Sequence, residues 1–187
     1  MLRLVLALLL VCTSAAGAAD TVGLADQTVP LDVKASRATF TIQHLLIDKV
    51  QGSVPIVSAS VTLGPDGVTP ASVDATLDPN HINTGDEDRD GNLTGTDWFD
   101  TKKFPVWTFK SDHVTANGDG TYNVAGMLTI HGVSVPVTLA TSVARKGPHP
   151  LYHATTTVDR HAFGMAITRT DGLVGKDVSI VIDVQAK

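Results

Sequence analysis

Residues 84–100, TGDEDRDGNLTGTDWFD, concentrate the side chains most able to do chemistry. Asp86, Asp88 and Asp90 alternate, Gly91 follows, and Asn92 and Asp97 extend the run towards a loop-length frame. Calcium takes about six to eight hard oxygens, and carboxylates at this spacing with a glycine at the sharp turn can supply them. Two departures count against an EF-hand. The closing position is Asp97 where a bidentate glutamate is usual, and the flanks, Leu77–Asn80 and Phe104-Pro105, do not extend into paired helices. The segment therefore has two readings. One is a calcium-stabilised secreted β module using Asp86, Asp88, Asp90, Asn92 and Asp97. The other is a structured insertion between strands, with a short helix near Asp86–Asp90 and a turn near Asp97–Phe99.

Other chemistry is sparse. The seven histidines are scattered singly, and Pro150 breaks any helix that would align His149 with His153. No serine stands in a G-x-S-x-G elbow. The single cysteine, Cys12, lies in an apolar N-terminal segment. No nucleophile–base constellation is visible, so a binding protein is expected rather than an enzyme.

The elements that must position these residues have a period of two. Ala38, Phe40, Ile42 and His44 share a face against Thr39, Thr41 and Gln43. Val57, Ala59, Val61 and Leu63 repeat the pattern, as do Val73, Ala75 and Leu77. Tyr122 to Ile130, Val133 to Val143 and Val178 to Val184 alternate in the same way. Valine and threonine dominate these runs, as half-buried strands favour. Turn signals separate them: Gly64-Pro65-Asp66-Gly67, Asn117-Gly118-Asp119-Gly120, His131-Gly132 and Gly147-Pro148. Seven or eight strands without a long helix imply an all-β antiparallel sandwich or barrel.

Residues 1–19 read as a signal peptide. Arg3 gives a positive start, Leu4 to Val11 is an apolar stretch too short to span a bilayer comfortably, and Ala16-Gly17-Ala18 offers small residues for cleavage after Ala18 or Ala19. Val11 before Cys12 is not the small residue that lipidation prefers. Residues 20–187 then form one domain, with no cysteine for a disulfide or a thiolate. The net charge of −5 argues against nucleic acid, which needs basic surface. No later segment resembles a transmembrane anchor.

A second set of residues comes in one order at compact spacing. It begins with Phe40-Thr41-Ile42-Gln43-His44 and Val50-Gln51-Gly52, and passes through His81-Ile82-Asn83-Thr84-Gly85, Arg89-Asp90, Leu93 and Asp97-Trp98-Phe99-Asp100. It continues with Phe104-Pro105, Phe109, Leu128-Thr129-Ile130-His131-Gly132 and Pro136-Val137, and closes with Arg160 and Phe163-Gly164. This pattern resembles the YceI-like, polyisoprenoid-binding family over essentially the whole mature chain. Asn92 stands where that family usually has histidine, and Trp98 replaces the first phenylalanine of its aromatic pair.

The resemblance implies an extended lipocalin-like barrel of eight antiparallel strands, with the insertion around residues 84–101. It implies an isoprenoid lipid, a quinone or another long-chain lipid in the lumen, and no other cofactor. Phe40, Ile42, Phe109, Leu128, Ile130 and Phe163 would line the hydrocarbon, with Leu93 and Phe99 from the insertion. His44 and Arg89 would meet a polar headgroup at the mouth, since guanidinium suits phosphate or carbonyl oxygens. Burying one methylene is worth about 0.8 kcal/mol, so roughly forty carbons would gain about 30 kcal/mol gross. Affinities saturate near about −18 to −21 kcal/mol, so burial alone suffices for tight holding. The expected place is the periplasm, with secretion as the alternative, and the expected protein partner is a second copy in a homodimer.

Overall fold

The computed structural model describes residues 27–45, 47–146, 149–165 and 171–187. The signal-peptide reading of residues 1–19, Cys12 included, lies outside them. Ten strands are present among the described residues: β1 Gln27–Pro30, β2 Arg37–His44, β3 Asp48–Val54, β4 Ile56–Leu63, β5 Pro70–Leu77, β6 Trp107–Ala116, β7 Thr121–Ile130, β8 Val133–Lys146, β9 His149–Asp159 and β10 Val174–Gln185. One helix, α1 (Glu87–Thr94), and two 3₁₀ turns, Pro79–His81 and Arg160–Phe163, complete the described elements. Every strand pair is antiparallel.

The expected strand count of eight is corrected to ten, and the reason is local. The pairing order runs β1-β4-β5-β6-β7-β8-β9-β10-β2-β3. Its far member, β3, passes into β4 through Pro55 alone. Proline has no N–H for a ladder and bends the strand it interrupts. β3 pairs with β2 and β4 pairs with β5, so one kinked strand joins the two sides of the sheet and curls it round. The remaining extra piece, β1, is four residues long and lies against β4. Leu31 after it bridges Ala186 after β10, and Ser53 bridges Asn83.

The turns obey their residues. His131 and Gly132 both have positive φ, +53° and +74°, and they join β7 to β8 by a two-residue turn that sets Ile130 opposite Val133. A Cβ on Gly132 would also fall 2.4 Å from the Phe104 ring. One expected face is wrong. A register shift between Ile56 and Ser58 turns Val57 outwards, half exposed, while Ile56 takes the buried position.

Alternate residues of each strand face inwards and form three clusters stacked along the barrel. β9 reads out this axis. Tyr152 belongs to a cluster with Leu31, Val61, Leu63 and Ala186, Ala154 to one with Phe109, Val124 and Leu139, and Val158 to one with Val54, Ile82, Trp107, Ile130, Phe163 and Met165. Tyr152 to Val158 spans about 20 Å of strand.

Candidate functional site: an apolar cavity with one polar rim

The three clusters are the wall of a hollow rather than a solid core. A cavity of about 510 Å³ runs through the barrel, in the range of about 300–1,000 Å³ typical of small-molecule pockets. Phe40, Ile42, Phe109, Leu128, Ile130 and Phe163 line it, and so do Leu93 and Phe99 from the insertion and His44 and Arg89 at the rim. The ten residues are thus brought together around one space. Gly52 helps shape it: a Cβ there would lie 2.4 Å from the tip of Phe40, so only glycine leaves that ring its place on the wall.

The rim is built by α1 and its surroundings. Asp86 caps α1, accepting the Arg89 N–H at 3.0 Å, and Glu87, Asp88 and Asp90 place negative charge in the first turn. The Asp90 carboxylate accepts the Thr84 N–H (3.0 Å) and the Thr84 hydroxyl. Arg89 donates from Nε to Thr84 Oγ1 (2.8 Å) and from a terminal nitrogen to the Thr84 carbonyl (3.1 Å), with Asp86 3.7 Å away. In place of the calcium-loop frame, Asp86, Asp88 and Asp90 lie on α1 and its cap, with Asp86 and Asp90 already holding backbone and hydroxyl donors, and Asp97 falls three residues beyond the helix. Among the described residues no group of three or more histidine, cysteine, aspartate or glutamate side chains is placed to share a metal ion.

Arg89 is accordingly anchored within its own segment, with 37% of its side chain exposed. His44 differs. It ends β2 opposite Asp48 and Val174, lines the cavity, and its ring makes no hydrogen bond to a described residue.

Two residues matter here that pattern reading did not assign. Arg160 is 2% exposed yet reaches the cavity. It donates to the carbonyls of Gly175 (3.0 Å), Val174 (3.1 Å) and Met165 and to Asp171 Oδ1 (2.6 Å), and its guanidinium lies 5.7 Å from the Trp98 ring centre. The hydrogen bond from Arg160 holds the Asp171 carboxyl below its usual range. Arg160 was visible only as a motif residue, because its partners come from residues 165–175. Trp107 is 8% exposed and packs edge-on against Phe99 with ring centres 4.7 Å apart. Its Nε1–H is the only buried side-chain nitrogen or oxygen without a partner among the described residues. Alternation with Phe109 and Ser111 was the signal that could have found it.

The opposite end is closed by apolar side chains and a tight loop. Burial pushes the Tyr152 phenol up to about 12. Its hydroxyl lies 3.4 Å from the Val68 carbonyl, in the β4–β5 loop. Asp66 braces that loop, accepting N–H bonds from Val68 (2.9 Å) and Thr69 (2.8 Å) and the Thr69 hydroxyl, and these hold its carboxyl down at about 2.

The sequence from residue 30 to residue 186, which builds this wall and rim, matches the YceI-like domain. The chain belongs to the YceI-like family. A UPF0312 protein of Yersinia pestis (strain Pestoides F) is 35% identical over 59% of this chain, and the match spans 57% of that relative's length. A UPF0312 protein of Vibrio vulnificus (strain YJ016) is 27% identical over 94% of this chain and 93% of its own. BcnA of Burkholderia cenocepacia superposes with a TM-score of 0.76 at 28% identity, covering 84% of this chain and 99% of BcnA. A polyisoprenoid-binding domain from Saccharophagus degradans, implicated in plant cell wall breakdown, has the same fold at 16% identity, with a TM-score of 0.69 over 87% of this chain and 98% of that domain.

Proposed function

We propose that this protein is an exported lipid carrier that holds a polyisoprenoid or isoprenoid-quinone chain in the barrel, with the headgroup at the α1 rim. One observation carries the reading: the cavity wall is apolar along its length and charged only at one end. Such a gradient suits an amphiphile with a long tail and a small polar head. The YceI-like membership and the polyisoprenoid-binding Saccharophagus domain of the same fold support the chemical class. The pattern of residues 1–19 supports export, with the periplasm as the site of action. Holding a lipid calls on no catalytic group.

The test is mass spectrometry of an organic extract from protein purified without detergent. A prenyl lipid bearing oxygen is expected, and repeatedly empty protein would reject the reading.

A further inference from the structure

Most described strand connections are polar, but the β2–β3 hairpin is not. Its tip carries Leu45, 46% exposed, and Ile47, 86% exposed, and Leu173 just before β10 is 50% exposed. The Leu45 N–H donates to the Leu173 carbonyl at 2.7 Å, so the three belong to one surface. Leu45 is held at φ +50°, a conformation that leucine rarely adopts. The next residues inward on the same two strands, His44 and Val174, line the cavity. An exposed apolar tip therefore continues directly into the mouth of an apolar hollow.

We propose that this tip is a membrane-docking element that seats the cavity mouth against a lipid bilayer, where cargo is taken up or released. The proposal rests on the lipid-carrier reading. Three considerations select a bilayer as the occupant. A prenyl tail leaving the cavity through water would expose its whole hydrocarbon, whereas an apolar tip seated on a bilayer beside the mouth shortens that exposure. Three exposed side chains, two on the hairpin tip and Leu173 beside it, are far from the roughly 800 Å² per partner that a stable protein interface buries, but they suffice for weak, reversible insertion. The neighbouring rim carries both signs, Asp48 and Lys49 on β3 and Asp88 on α1, so no strong demand for anionic lipid arises. Isolated exposed apolar residues are ordinary, but a group at the mouth of a cavity is not.

The experiment uses the full chain with phosphatidylcholine vesicles at millimolar lipid, read by flotation and by the rate of prenyl-lipid transfer between donor and acceptor vesicles. The wild-type protein should float with the vesicles. Leu45→Ser/Ile47→Ser/Leu173→Ser should lose at least tenfold in vesicle partitioning and transfer rate, because each of three partly inserted apolar side chains contributes several-fold. Ile47→Ser alone should lose several-fold, and since Ile47 is almost fully exposed this variant keeps the fold. Val57→Ser, at an exposed valine on the barrel's outer face, should change nothing. Wild-type protein that stays with the aqueous fraction, or a triple variant that floats as well as wild type, overturns the proposal. So does a concentration-dependent dimer that Ile47→Ser dissociates, because the tip would then meet a second copy. Failure of the carrier reading is seen separately: the organic extract is then empty whatever the vesicles do.

Discussion

The two ends of the barrel solve opposite problems. Under α1, polar groups crowd the cavity rim: Arg160 is buried with four acceptors, Arg89 is tied to Thr84, and Trp107 keeps an unused donor. At the Tyr152 end the wall is Leu31, Val61 and Tyr152, packed on Leu63 and Ala186, and the polar groups nearby are spent on bracing the 64–69 loop. One end offers recognition and the other only exclusion of water. The difference fixes a direction for an amphiphile, head to α1 and tail to Tyr152.

The largest effect should come from unpacking the α1 end. Phe163 is fully buried beneath the rim, and Phe163→Ala should cost about 3–5 kcal/mol, read as a fall in the urea midpoint. A loss below about 1 kcal/mol would mean that this end is not the better packed one. Next comes a block between the two ends. Ala154 lines the cavity midway, and Ala154→Phe would displace the volume of three or four methylenes, about 2–3 kcal/mol of binding. Bound lipid should drop in the organic extract while the melting temperature holds or rises. Full occupancy in that variant would show that the tail never passes Ala154, and the proposed direction would be lost.

The smallest effect belongs to the far loop and depends on pH. The Asp66 carboxyl sits lower in the folded chain than its ordinary 3.8, at about 2. The stability it contributes is therefore present above about pH 4 and lost as pH falls towards 2. Asp66→Asn should flatten the thermal midpoint over that window relative to wild type, lowering it at neutral pH and leaving the acid value little changed. Equal slopes for the two proteins would remove Asp66 as the brace.

Much of the wall was legible because burial on one side of a strand forces a period of two. Phe40 with Ile42, Val73 with Ala75 and Leu77, and Val178 through Val184 all line the cavity as alternation requires. Where one residue breaks the period, reading fails: the shift at Ile56–Ser58 reversed Val57, and Pro55 divided one strand into two. The acidic segment misled because Asp86, Asp88 and Asp90 satisfy two templates, a metal loop and a capped helical first turn. Thr84, by supplying donors to Asp90 and acceptors to Arg89, decides for the helix, and that choice lies in geometry rather than spacing. The burial of Arg160 was equally out of reach, since its acceptors are assembled only in the folded chain.

The seam at Pro55 has a bearing on girth. Two backbone bonds between Ser53 and Asn83 and one from Asp78 to the Pro55 carbonyl fasten that corner, against a ladder of ten paired residues between β7 and β8. A bulkier guest is accommodated at least expense where the fewest rungs must part, so this notch would give before the β7–β8 side of the belt does.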